Sequence, residues 1–102
     1  MIEYEKIVMN IIAYSGESET LSNQAFDLAL EGNISEAESN LSLSKEKLNK
    51  AGKYHFDLLQ MEANDEEFRP TLLMIHAMDH FVLAQNKLEN AECIIKLIKS
   101  TK

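Results

Sequence analysis

Residues that break helices are scarce in this chain, which has three glycines and one proline in 102 residues. Turn-rich β architectures need a turn residue about every eight to twelve positions, so this scarcity excludes most of them. Hydrophobic residues make up 45% of the chain, which is enough to form a packed core. The length fits one domain. We therefore predict an all-α fold with a single domain over residues 1–102.

Apolar residues recur at helical spacing through nearly the whole chain. They predict three helices of similar length, at about 3–31, 35–63 and 70–99. Because both connections are short, consecutive helices should run in opposite directions. The expected architecture is an antiparallel, up-down-up three-helix bundle.

Four features mark the expected helix ends. Gly32 and Asn33 tolerate the left-handed conformation that often ends a helix. Ser35 with Glu38 three residues later has the spacing of a capping box, in which each side chain satisfies an exposed backbone N–H. Pro70 is expected in the first turn of the third helix, where its missing N–H costs nothing.

The charge balance limits the kinds of partner. Residues 1–40 hold eight acidic residues and one basic residue, so the net charge of -7 arises entirely there. An acidic chain without a basic stripe argues against nucleic acid and anionic membranes as partners. No apolar run approaches the roughly 18 residues that a membrane span requires. Cys93 is the only cysteine, which excludes an intrachain disulfide and favours a cytoplasmic location.

The third predicted helix is apolar on all sides, whereas a surface helix normally has one apolar stripe. A bundle of three such helices cannot bury one of its own members completely, so we predict self-association centred on this helix. The pattern itself does not set the number of subunits. The apolar residues are Leu72, Leu73, Met74, Ile75, Ala77, Met78, Phe81, Val82, Leu83, Ala84, Leu88, Ala91, Cys93, Ile94, Ile95, Leu97 and Ile98.

Three polar residues near the start of this helix are candidates for chemistry. His76, Asp79 and His80 are spaced to share one helical face. A buried carboxylate there would need a cation, a donor or a proton. Taken alone, the pattern permits a core histidine, an Asp79–histidine pair on one helix, or a metal site.

The segment from Ile75 to His80, IHAMDH, resembles the phosphorylation-site motif H-[AG]-Q-D-H of the lactose/cellobiose-type (N,N'-diacetylchitobiose) IIA components of the bacterial sugar phosphotransferase system. Residues 11–16, IIAYSG, resemble an early segment of that family's first helix. Residues 31–37, EGNISEA, resemble its first turn, and His55 falls where the family commonly has a histidine. The resemblance therefore extends over almost the whole chain.

The resemblance implies a homotrimer with the third helices at its centre. It also implies a phosphotransferase component that accepts a phosphoryl group from the phosphocarrier protein HPr and passes it to a IIB component. The IIB component then phosphorylates a β-glucoside, lactose or chitobiose-type disaccharide entering through IIC. By motif position, His76 is the phosphoryl acceptor, and Asp79 meets its two copies around Mg²⁺ or a similar divalent cation. His80 is expected to orient the site or to donate to a phosphoryl oxygen.

Two departures from the family pattern leave an alternative open. Met78 and Leu58 stand where the family usually has glutamines, and the loss of two amides removes hydrogen-bonding capacity near the site. The alternative is a non-catalytic helical oligomer that keeps the fold, or a metal-binding bundle that uses His76, Asp79 and His80. The sequence does not identify the sugar or the cognate IIB and IIC.

Overall fold

The computed structural model describes residues 2–101, which form three α-helices. These are α1 (Ile2–Leu30), α2 (Ile34–Asn64) and α3 (Leu72–Ser100). No strand occurs within residues 2–101, and the helices form a narrow bundle of 56 × 19 × 19 Å. The predicted all-α, up-down-up fold is confirmed. Met1 and Lys102, the ends of the predicted domain, lie outside the described residues.

The end of α1 follows the expected glycine signal. Gly32 has a positive φ of 90°, which costs glycine little because it has no Cβ. The Asn33 N–H donates to the Leu28 carbonyl at 2.9 Å, and the Gly32 N–H donates to the Ala29 carbonyl at 3.1 Å. This pair of hydrogen bonds is the Schellman motif. The chain therefore reverses tightly into α2.

The starts of α2 and α3 differ from the predictions. α2 begins at Ile34 with Asn33 at its N-cap and no side-chain cap hydrogen bond, so the Ser35 capping box is wrong. α3 begins at Leu72, and Pro70 lies outside it. The Thr71 hydroxyl accepts the Met74 N–H at 3.1 Å, so Thr71 is the N-cap of α3 and Pro70 precedes it.

The core is divided along the bundle. At the end that contains the start of α3, Val8, Ile11, Leu58 and Phe81 belong to one apolar cluster. At the opposite end, a smaller cluster is built around Ile95. Ile11 and Leu58 are almost completely buried, and burial of such a side chain contributes roughly 1.5–3 kcal/mol.

A layer of buried serines joins α1 to α2. The Ser44 hydroxyl donates to the Ser18 carbonyl at 2.9 Å and lies 2.8 Å and 2.7 Å from the hydroxyls of Ser18 and Ser22. Small side chains allow the two helices to approach closely, and the hydrogen bonds satisfy hydroxyl groups that would be costly to bury unpaired. The layer fixes the stretch of α1 that lies opposite the site described next.

Candidate functional site

The three predicted site residues lie within the first three turns of α3. His76 and Asp79 are exposed, and His80 is half-buried. His76 and Asp79 line an open depression of about 560 Å³ together with Leu72, Leu73 and Ile75. The phosphoryl acceptor predicted from the motif is therefore open to solvent in the single chain, beside an apolar rim.

His80 turns towards α1 and meets a carboxylate that the sequence analysis missed. Its Nδ1 lies 2.8 Å from Oε2 of Glu19, whose residue is only 9% exposed. The other oxygen of Glu19, Oε1, lies 3.8 Å from the Lys87 ammonium. A carboxylate withdrawn from water needs such partners, since an unpaired buried charge is strongly destabilising.

The position of Glu19 along α1 explains its burial. Buried positions recur along α1 at steps of four and three residues, as Ile11, Ser15, Ser18 and Ser22 show. Glu19 lies four residues after Ser15 and three before Ser22, so it belongs to the inward face. An acidic residue on an inward face predicts a buried partner, although the pattern does not tell which residue of α3 supplies it.

The two site histidines contact each other at a right angle. The ring centroids of His76 and His80 are 4.6 Å apart, with an interplanar angle of 89°. Glu19, His80 and His76 therefore form a continuous chain from the buried face of α1 to the exposed face of α3.

Asp79 takes no part in this chain of contacts. Its carboxylate makes no hydrogen bond or ion pair with any residue between 2 and 101, and it is exposed. Across the same residues, no group of three or more His, Cys, Asp or Glu side chains is arranged to hold a metal ion. Nδ1 of His80 is hydrogen-bonded to Glu19, so only Nε2 of that ring is left to act as a metal ligand.

One exposed face runs the full length of α3. We call it the α3 seam. Its members follow one another at alternating steps of four and three residues, the 3.5-residue period of helices that associate side by side. All are exposed, and the leucines among them are exposed by 82%, 42% and 58% in chain order. The seam consists of Leu72, His76, Asp79, Leu83, Asn86, Asn90, Cys93 and Leu97.

The two positions where the resemblance leads us to expect glutamines belong to the core. Leu58 is 1% exposed, and Met78 packs against the same apolar cluster. His55 stacks on Phe81, with ring centroids 4.8 Å apart, and its Nε2 is buried without a hydrogen-bond partner among the described residues. The structure thus keeps His55 beneath α3 rather than in the exposed depression.

None of the three helices has, within residues 2–101, a stretch both long and apolar enough to cross a bilayer.

The sequence of the chain is similar to a known protein family. Residues 6–99 match the family described as "PTS system, Lactose/Cellobiose specific IIA subunit". The lichenan-specific phosphotransferase enzyme IIA component of Bacillus subtilis strain 168 is 37% identical over 95 residues, which cover 93% of this chain and 86% of that protein.

Solved structures show the same fold. The crystal structure of the cellobiose-specific enzyme IIA from Bacillus anthracis superposes with a TM-score of 0.89 at 32% identity, covering 96% of this chain and 90% of that one. The IIA component in the solution structure of the Escherichia coli IIA(chitobiose)–HPr complex superposes with a TM-score of 0.81 at 24% identity, covering 96% and 95%.

Proposed function

The chain belongs to the lactose/cellobiose-specific IIA subunits of the sugar phosphotransferase system, a family of phosphotransferase components, and we propose that His76 is its phosphoryl acceptor. The observation that carries this proposal is the position of the ring. His76 is exposed beside an apolar depression and in contact with His80, within a segment that resembles the family's phosphorylation site and has Met78 in place of its glutamine. A partner protein can therefore reach the ring without any rearrangement of the bundle.

The chemistry suits a relay. A neutral imidazole has a lone pair on one nitrogen and is a competent nucleophile near pH 7. In the transfer, this lone pair forms the new N–P bond while the bond between the phosphorus and the donor atom breaks, and the electron pair of the broken bond stays with the donor. The work left to the protein is to position the ring and exclude water.

The proposed partners follow from the relatives. A chitobiose IIA component forms a complex with HPr, so we expect HPr to be the donor here. A IIB component would be the recipient, with IIC acting downstream. Relatives named as specific for lichenan, cellobiose, N,N'-diacetylchitobiose and lactose support a β-glucoside, lactose or chitobiose-type disaccharide as the transported sugar. Another relative, 38% identical over 80% of this chain, is named as specific for galactose. The cytoplasm is the expected place of this relay.

The α3 seam supports self-association. Leu83 and Leu97, which are exposed by 42% and 58%, would be buried if copies of α3 packed together. The seam's spacing favours side-by-side helices, and the family resemblance indicates three of them. We therefore propose a homotrimer with α3 at its centre, which would place His76 at the edge of the interface between subunits.

Asp79 fits a cation shared by three subunits. It is the only carboxylate of the α3 seam, it is exposed, and it lacks a partner in the described chain. Carboxylate oxygens are ligands that Mg²⁺ prefers, and three like charges gathered on an axis need a cation or a proton. Mg²⁺ or a similar divalent ion would neutralise this charge. The lone pair with which His76 would attack the phosphoryl group does not depend on this ion.

The test is phosphorylation in a defined mixture. We expect the wild-type protein, incubated with HPr, the first enzyme of the system and phosphoenolpyruvate, to gain one acid-labile phosphate per chain. His76→Ala should gain none and keep its thermal stability, because the ring is exposed. His55→Ala, which removes a histidine outside the depression, should still be labelled.

Two results would favour a non-catalytic oligomer instead. One is a wild-type protein that takes up no phosphate, and the other is equal labelling of His76→Ala. A metal-binding bundle would instead show one tightly bound transition-metal ion per chain rather than one hard cation per trimer.

A further inference from the structure

We propose that Glu19 is a positioning residue for the phosphoryl relay, acting on His76 through His80. The inference rests on the proposed function of His76 and adds a residue outside the motif. It is carried by the chain of contacts in which Glu19 bonds His80 at 2.8 Å and the ring of His80 lies 4.6 Å from that of His76 at a right angle.

The carboxylate of Glu19 is fixed on both sides. Its side chain is only 12% exposed, and Lys87 stands 3.8 Å from the oxygen that His80 does not use. Two neighbours of Glu19 on α1, Ser18 and Ser22, lie within hydrogen-bond distance of Ser44 on α2. Because the backbone and both oxygens are held, Glu19 can impose its geometry on the half-buried His80 ring.

The hydrogen bond to Glu19 also selects the tautomer of His80. A carboxylate oxygen can only accept, so the proton of the His80–Glu19 bond belongs to Nδ1 of His80. In the neutral ring the remaining nitrogen, Nε2, then has a lone pair and no proton. A neutral His80 held in this way cannot donate to a phosphoryl oxygen. Of the two roles expected for His80, the geometry therefore favours orienting.

What His80 orients is the ring of His76. A ring exposed at the start of a helix would otherwise sample several rotamers, and only some would present a nitrogen to an incoming phosphoryl group. The perpendicular ring of His80 excludes those rotamers of His76 that would occupy its own position. Loss of Glu19 should release His80 first and His76 second, which lowers the rate of transfer without removing any surface that HPr contacts.

The first measurement needs no variant. Nitrogen-15 NMR of the imidazoles, recorded in alkaline solution, distinguishes the two neutral tautomers. We expect His80 of the wild-type protein to be the Nδ1–H form. A wild-type His80 that carries its proton on Nε2 would overturn the inference, whether or not any variant folds.

The second measurement compares Glu19→Gln with Glu17→Gln. Both changes remove one charge from α1, but the Glu17 side chain is 50% exposed and faces Lys47 at 3.8 Å. We expect Glu19→Gln to lose the single tautomer of His80. Its saturating rate of phosphoryl transfer from phospho-HPr should fall on the order of tenfold, as typical for a supporting residue, at an unchanged KM for HPr. Glu17→Gln should match the wild type in the tautomer of His80, in the saturating rate and in the KM for HPr.

The outcomes separate this inference from the proposed function. If the wild type is not phosphorylated, the proposed function fails, and the tautomer still reports on the Glu19–His80 bond. If the wild type is phosphorylated and Glu19→Gln retains both its rate and its His80 tautomer, only the role of Glu19 is refuted. In a His80→Gln background, Glu19→Gln should have little further effect on the rate, and full additivity of the two losses would also refute it.

Discussion

Replacement of Asp79 by leucine tests the proposed assembly most directly. Asp79 is exposed on the α3 seam and has no partner in the described chain. In a trimer built on this seam, three Asp79 carboxylates would be withdrawn from water together. Removing both the charge and its desolvation should strengthen association, since apolar replacement of buried charges is often neutral or stabilising.

The magnitude can be worked from the neighbouring layer of the α3 seam. Leu83 is 42% exposed in the single chain, and a leucine at position 79 would have a similar surface to bury. Full burial of leucine contributes roughly 1.5–3 kcal/mol, so covering that fraction contributes ~1 kcal/mol per chain and ~2–4 kcal/mol per trimer. At 1.4 kcal/mol for each factor of ten, the dissociation constant of the trimer should fall roughly 30- to 700-fold.

Sedimentation equilibrium and thermal melts at several protein concentrations, in EDTA, measure this change. Asp57→Leu is the matched control, because Asp57 is exposed on α2 and lies off the α3 seam. It should leave the mass and its concentration dependence unaltered. A monomeric Asp79→Leu protein, or one whose assembly is weaker than that of the wild type, would refute the placement of Asp79 at the shared interface.

Three further changes probe the seam and the core. Leu83→Lys should dissociate the assembly, as seen by light scattering, whereas Leu43→Lys on α2, at a similar 45% exposure, should not. Leu58→Gln should lower the free energy of unfolding by about 2–4 kcal/mol in urea melts, because it buries an unpaired amide, and Leu59→Gln at 47% exposure should change it little. Ser44→Ala should cost about 1–3 kcal/mol in the same melts, because it leaves buried hydroxyls without their partner.

The number and direction of the helices could be predicted because the controlling signals are local. Gly32 ends α1 through its own φ of 90°, and short connections leave little choice of topology. The starts of α2 and α3 were predicted less well because several residues compete to cap a helix. At α3 the hydroxyl of Thr71 accepts the Met74 N–H, so the helix begins after Thr71 and leaves Pro70 outside it.

In the candidate site, too, the features set by local spacing could be predicted from the sequence, and those set by the packing of helices could not. The spacing of His76, Asp79 and His80 places them on one stretch of helix from sequence alone, and the structure then separates them by environment. His80 faces Glu19, which lies 61 residues earlier in the chain, so no local pattern pairs the two. Lys87 enters for the same reason, because only the packing of α1 against α3 brings it to Glu19.

The composition of the α3 seam follows from two demands on one helix face. Association alone would favour apolar residues at every position, yet His76, Asp79, Asn86 and Asn90 interrupt its leucines. Each polar side chain in such a seam lowers the free energy gained on association. Under the proposed function, His76 must remain reachable by two partner proteins, so it belongs at the open end of the seam near Leu72, where the depression lies. The leucines towards the other end would then carry the assembly, and the imidazole could exchange partners while the trimer stays closed.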